Sequence, residues 1–191
     1  PAPNVTLFVE HDGLKFNIID PNSIGHSHAH HGDQQQAHSP VEKGHAYKMV
    51  FDRFNKGTSL TAEGQAPDYL NFFLSDRAVS GVRKYHSIRF NNLYPGIDLL
   101  LTSKNGNLKL EWQLQRGADP RSIRIRYDGI DNFTIRDGQL SIQTTVGEVN
   151  EGYPDSWVVH GTDKTTLSCD YSKYGLSVGF ALSSIPIVYD T

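Results

Sequence analysis

Cysteine is almost missing from this chain: Cys169 is the only one. No intrachain disulfide can form, and no zinc or iron–sulfur centre built on cysteines is available. A lone cysteine in an alternating run reads as a small core residue rather than a nucleophile. No run of about 18 apolar residues occurs, so no segment reads as a membrane-spanning helix. Eighteen Lys and Arg stand against 21 Asp and Glu, for a net charge of −3. No basic block appears, which argues against a nucleic-acid surface. Apolar residues at helical spacing are nearly absent as well. The chain opens at Pro1-Ala2-Pro3 with neither Met nor an apolar signal segment. It therefore reads as a processed or excised piece of a longer protein.

What is present is alternation broken by tight turns. Asn105-Gly106 lies between two alternating apolar runs, and Asn-Gly favours a type I′ hairpin. Counting outward from that turn pairs Leu101 with Leu110, Leu99 with Trp112 and Ile97 with Leu114. The opposite face pairs Thr102 with Lys109, Leu100 with Glu111 and Asp98 with Gln113. One face is apolar and the other mostly polar, so a one-residue slip would ruin the match. Asp137-Gly138 marks a second hairpin, with Ile135 facing Leu140 and Phe133 facing Ile142. A third hairpin joins residues 5–9 to 14–19, with Asp12-Gly13 read as its I′ pair. Residues 46–54 and 123–127 alternate too. Further strands are expected near 147–150, 155–160, 165–170, 175–182 and 185–190, with Leu176, Val178 and Phe180 sharing a face. Residues 55–68 read as a turn, a short strand near Leu60 and a loop ending at Pro67. Tyr69–Leu74 is a dense apolar strand of the kind buried on both faces. Residues 75–84 are polar, and the next strand is expected to begin at His86.

Turn signals every 8–12 residues indicate a sandwich or barrel. The expected fold is a single all-β module over 1–191, a mostly antiparallel β-sandwich with a possible division into packed subregions 1–84 and 85–191.

The stretch from Asn91 to Val149 resembles an uncharacterised N-terminal module of large secreted bacterial proteins. The resemblance rests on Tyr94-Pro95-Gly96-Ile97-Asp98, on Gly117-Ala118-Asp119-Pro120, on Asn71-Phe72-Phe73-Leu74 and on the closing Ile185–Asp190. Arg116 departs from the proline usual at that place. The resemblance implies a secreted or cell-surface setting in which the module precedes SBBP-type β-propeller repeats, PKD-like domains or adhesin-like repeats, often in gliding bacteria. It brings no catalytic residues. Turn chemistry explains the shared motifs without any function: Pro95-Gly96 starts a strand, and Asp98 and Asp119 suit the capping of backbone N–H groups.

Three chemistries are weighed beside a purely structural, adhesive or interaction role. Six of the nine histidines fall within 26–45. In an extended chain His26, His28 and His30 project to one side. With His31, His38, His45 or Asp33 nearby they could bind Zn²⁺, Ni²⁺ or Cu²⁺. The plain alternative is a solvated polar loop. No HExxH-like spacing supports a catalytic metal. For a carbohydrate platform, Trp157 with Tyr153 is the better pair; Trp112 falls on the apolar hairpin face, and Tyr171 and Tyr174 are further aromatics. Asp128, Asp131, Glu148, Glu151 and Asp155 could supply paired carboxylates for a hydrolase, although such residues also gather at turns. The chain is therefore read as a non-enzyme without a certain cofactor. Its expected partners are neighbouring domains, a surface protein or a glycan.

Overall fold

The computed structural model describes residues 5–20, 23, 43–74, 76–104 and 106–182. Strands dominate and every described pairing is antiparallel, as the alternation required. The chain divides into two compact units. One is Asp52–Arg124; the other combines residues 3–51 and 125–191. The division read at 84/85 instead falls inside a strand. The true boundaries lie where the chain leaves and rejoins the larger unit.

The larger unit opens with β1 (Val5–Glu10), β2 (Gly13–Ile19) and β3 (Gly44–Phe51). It resumes with β8 (Ile125–Asp128), β9 (Asn132–Arg136), β10 (Gln139–Thr144), β11 (Gly147–Glu151), β12 (Ser156–His160), β13 (Asp163–Leu167), β14 (Cys169–Tyr174) and β15 (Ser177–Leu182). A six-stranded sheet runs β1-β2-β3-β8-β15-β14, a three-stranded sheet runs β11-β10-β9, and β12 and β13 form a separate hairpin. Leu14, Tyr47, Met49, Phe51, Ile125 and Val178 fill the core on the six-stranded side, and Leu140 and Ile142 on the three-stranded side. A chain of rings spans the two sheets. Phe16 stacks on Tyr47 at 4.7 Å, Tyr47 meets Tyr127 at 6.5 Å, and Tyr127 meets Phe133 at 6.4 Å. Offset and tilted contacts at these distances are favourable ring geometries.

The smaller unit is a four-stranded sheet, β4-β5-β6-β7. Its strands are β4 (Ser59–Phe73), β5 (Ala78–Tyr94), β6 (Ile97–Lys104) and β7 (Asn107–Leu114). Phe90, Tyr94, Ile97, Leu99 and Leu101 are buried, and Trp112 lies 6.1 Å from Tyr94. The Tyr94 hydroxyl donates to the Arg124 carbonyl at 2.7 Å. On the other face Arg89 ties strands together, donating to Glu63 at 2.6 Å and to Gln113 at 2.5 Å. Asp98 accepts the Asn92 N–H at 2.7 Å, and Asp119 accepts the Arg121 N–H at 2.9 Å. Both carboxylates thus cap backbone groups, as their turn positions suggested.

The β6–β7 and β9–β10 registers are those counted from the turns. Asp137 and Gly138 both take positive φ, as a type I′ turn requires. Four expectations fail for identifiable reasons. In the first hairpin the turn residues are His11 and Asp12, neither with positive φ, while Gly13 pairs with Glu10 inside the strand. Gly13 serves a close approach instead: an added Cβ would sit 2.2 Å from the Met49 carbonyl oxygen. Leu176 occupies a turn and is exposed, so only Val178 of that pattern is buried. Residues 55–68 hold no loop ending at Pro67, because β4 runs unbroken through it. Residues 78–84 are strand, since β5 begins at Ala78. Residues 185–190 lie outside the described residues.

Gly13→Ala should destabilise the protein by about 1–3 kcal/mol, the usual cost of forcing an atom into a packed site. Gly152→Ala, where an added Cβ meets nothing within 4 Å, should be close to neutral. Urea unfolding of both variants checks this; equal midpoints would show that Gly13 is not held by steric closeness.

Candidate functional site

The most unusual surface is the outer half of the β4–β5 hairpin. β6 pairs with β5 only from Ser87 onward. Beyond that point β4 and β5 continue as a two-stranded ribbon, pairing Gln65 with Tyr85, Tyr69 with Arg83, Leu70 with Val82 and Phe72 with Val79. Leu74 N donates to the Arg77 carbonyl at 2.8 Å to close the tip. The Asn71 side chain accepts the Gly81 N–H at 3.0 Å where the register shifts. Gly81 has φ 73°, which allows that bulge. Lys84 bridges to Asp68 across the ribbon.

This arm is where the expectation of a strand buried on both faces fails. Phe73 is 81% exposed, and Tyr69, Leu70, Phe72, Leu74, Val79 and Tyr85 are all at least 43% exposed. Alternation fits a doubly buried strand and a doubly exposed one equally well. Only the reach of β6 decides between them. Alternation also sorts the side chains. Tyr69, Phe73 and Tyr85 share one face with Arg83, while Leu70, Phe72 and Val79 share the other. An isolated two-stranded ribbon is marginal in water, and exposed apolar patches of this size mark interaction sites.

A second cluster is buried between the sheets of the larger unit. Glu151, half-buried at the end of β11, accepts from the Tyr127 hydroxyl at 2.8 Å and the Tyr171 hydroxyl at 3.4 Å. Burial pushes the Glu151 carboxyl above its ordinary value, against the opposing pull of the two hydroxyls. The same burial, with the Glu151 charge beside them, raises the phenols of Tyr127, Tyr171 and Tyr47. These phenols stay neutral, and those of Tyr127 and Tyr171 donate to Glu151. Glu151 pairs with Leu140 in register and so faces inward, whereas Glu148 faces outward opposite Gln143.

The outward face of β9–β11 forms a polar concavity of about 350 Å³ lined by Thr134, Arg136, Gln139, Ser141, Glu148 and Asn150 among others. Ser141 donates to Asn150 at 2.7 Å within it.

The other residues singled out in the sequence are scattered. His26, His28, His30, His31 and His38, with Asp33, lie outside the described residues. His45 begins β3; its Nδ1 lies 2.9 Å from the Thr145 hydroxyl, and its Nε2 is buried with no hydrogen-bond partner among the described residues. Tyr153 is exposed and its ring lies against Gly138. Trp157 on β12 carries Lys164 Nζ 4.7 Å above its ring. The two aromatics therefore rest on different neighbours. Trp112 packs beside Tyr94 on the apolar face, as expected. Tyr171 belongs to the Glu151 cluster and Tyr174 is half-buried. Asp128 pairs with Arg126. Burial raises the Cys169 thiol above its usual value, which keeps it protonated and poorly nucleophilic. Asp131 and Asp155 are exposed.

The fold defines an all-β module of two antiparallel units. Residues 1–189 match a family described as a domain of unknown function, DUF7948, and the chain belongs to that family. No curated protein and no solved structure matches it.

The Glu151 cluster has a readable pH signature. Its raised carboxyl value makes the neutral form the better-tolerated one in the folded state. The stabilising contribution is whole below the unfolded carboxyl value near ~4.3 and is lost as pH rises through the higher folded value. The stability of the protein minus that of Glu151→Gln should therefore fall as pH rises above the unfolded carboxyl value. Paired denaturant curves from acid to mildly alkaline pH check this; a constant difference would show that burial does not disfavour the carboxylate.

Proposed function

We propose that this chain is a non-catalytic interaction module of a secreted or cell-surface bacterial protein, working through the β4–β5 arm. The observation that carries the reading is the apolar arm, which extends beyond its sheet with aromatic side chains on display. A protein does not keep such a patch in water unless something covers it for part of its life. The distribution of reactive groups supports a non-catalytic role. Glu148 and Glu151 face opposite sides of one strand, Asp128 is ion-paired, and the Cys169 thiol is held protonated. The extracellular setting, and a place ahead of propeller-type or adhesin-like repeats, are what the sequence resemblance implies. The module then joins those repeats to a surface or to neighbouring domains.

A carbohydrate-binding role is the second reading, favoured by the polar concavity on β9–β11. Amide, hydroxyl, guanidinium and carboxylate groups line it, the donor and acceptor set that sugar hydroxyls need. The metal-binding reading rests on histidines outside the described residues.

Fluorescently labelled chain should remain bound to cells that display its parent protein. Phe73→Ser combined with Phe72→Ser should cut that retention at least tenfold while leaving the melting temperature within a few degrees, since both side chains are exposed. Retention unchanged by these substitutions, and lost instead on Ser141→Trp, would replace the arm reading with the carbohydrate one.

A further inference from the structure

We propose that the outward face of β9–β11 binds a neutral oligosaccharide chain laid across its strands, an inference that rests on the carbohydrate reading above and is independent of the arm.

The concavity follows from the register. Three cross-strand rows of side chains stand on that face. Gln143 and Glu148 form one outer row, Arg136 and Gln139 form the other, and Thr134, Ser141 and Asn150 stand between them. Successive rows on one face are two residues apart, about 7 Å. Thr134 and Ser141 are short and half-buried, whereas the four side chains of the outer rows are long and exposed. Short side chains between two long ridges make a trough that crosses the strands, and these same residues line the concavity of about 350 Å³. β9 and β11 are the outer strands of their sheet, so no further strand closes either end of the trough. A chain of sugars can therefore enter at one end and leave at the other.

The lining selects the ligand. Beside the hydroxyls of Thr134 and Ser141 it holds three amides, one guanidinium and two carboxylates, since Asp137 joins Glu148. No aliphatic or aromatic side chain lines it, which leaves an apolar ligand nothing to bury against. Two carboxylates against one guanidinium repel a polyanion. Arg136 and Glu148 stand on opposite ridges and on opposite outer strands, too far apart to pair with each other. Neither has an ion-pair partner among the described residues. Each therefore keeps a two-pronged group free for neighbouring sugar hydroxyls, the guanidinium donating and the carboxylate accepting. Ser141 donates to Asn150 Oδ1 at 2.7 Å. That bond orients the amide and leaves its N–H groups to donate to the ligand. The volume is at the small end for a ligand site, and no ring is present to stack on a sugar. The affinity should accordingly lie in the millimolar range.

Titration of the isotope-labelled chain, followed by its amide chemical shifts, tests this. Cellohexaose, mannohexaose and xylohexaose are the neutral probes, and an oligogalacturonate is the charged comparator. At least one neutral chain should move the side-chain amides of Gln139, Gln143 and Asn150, saturably and independently of ionic strength. Ser141→Trp, which fills the trough, should abolish the binding. Gln143→Ala and Arg136→Met should each weaken it at least threefold with the melting temperature unchanged. The double variant Phe72→Ser, Phe73→Ser should bind as the unaltered chain does. The proposal is overturned if none of the neutral chains moves those amides, if only the oligogalacturonate binds, or if the shifts centre elsewhere, as around Trp157. Binding indifferent to Ser141→Trp and Gln143→Ala overturns it as well. None of these failures touches the arm-centred reading, because cell retention through Phe72 and Phe73 is measured separately.

Discussion

The pairing of β3 with β8 holds the molecule's plan together. Lys48 pairs with Asp128, Val50 with Arg126 and Phe51 with Ile125. Between those two strands lies the whole of the smaller unit, Asp52–Arg124. Its first and last residues are joined by a 2.9 Å hydrogen bond from Asp52 N to the Arg124 carbonyl. Closing so long a stretch costs only slowly growing chain entropy, and β8 repays it by completing the centre of the six-stranded sheet. β8 also carries Tyr127, which links the ring chain between sheets and donates to Glu151. Loss of this one short strand would open the larger unit's core.

Local pattern was enough wherever two runs flanked a turn. Asn105-Gly106 and Asp137-Gly138 set registers that hold residue for residue, because a period of two leaves only one pairing with the apolar side chains together. The same logic stalls where the turn is less distinctive. Gly13 looked like turn chemistry, yet its missing side chain makes room for the Met49 carbonyl of a strand more than 30 residues away in sequence. Proximity of that kind is invisible to a local reading. Tyr69–Leu74 failed for a different reason. An apolar run says that side chains prefer cover; it does not say that the chain supplies the cover. The signals that could have found the arm were Gly64, Pro67 and Gly81, whose irregularities mark a free edge and a bulge rather than the middle of a sheet. Glu151 was legible in principle, since counting from the turn at Thr145-Val146 places it opposite Leu140 on the inward face.

The polar groups show a consistent division of labour. Asp98 and Asp119 hold backbone N–H groups at turns, and Arg89 draws Glu63 and Gln113 across strands. Each of these is a fastening between neighbouring elements. Glu151 differs because its carboxyl group is partly withdrawn from water, with the phenol hydroxyls of Tyr127 and Tyr171 as its partners. A group so placed specifies how two sheets meet, since any other arrangement would strand it without its donors.

The nesting of Asp52–Arg124 between β3 and β8 also dictates an order of events as the chain is made. Strands β1 to β3 emerge first but have only one another, with the flank of β3 waiting for a neighbour not yet synthesised. The smaller unit then emerges as an uninterrupted stretch whose strands pair only with one another. Only afterwards does β8 arrive to close the sheet, followed by β14 and β15 at its far side. Within this module the inserted unit is complete before the sheet that brackets it, and the half-made sheet must be kept from straying while it waits.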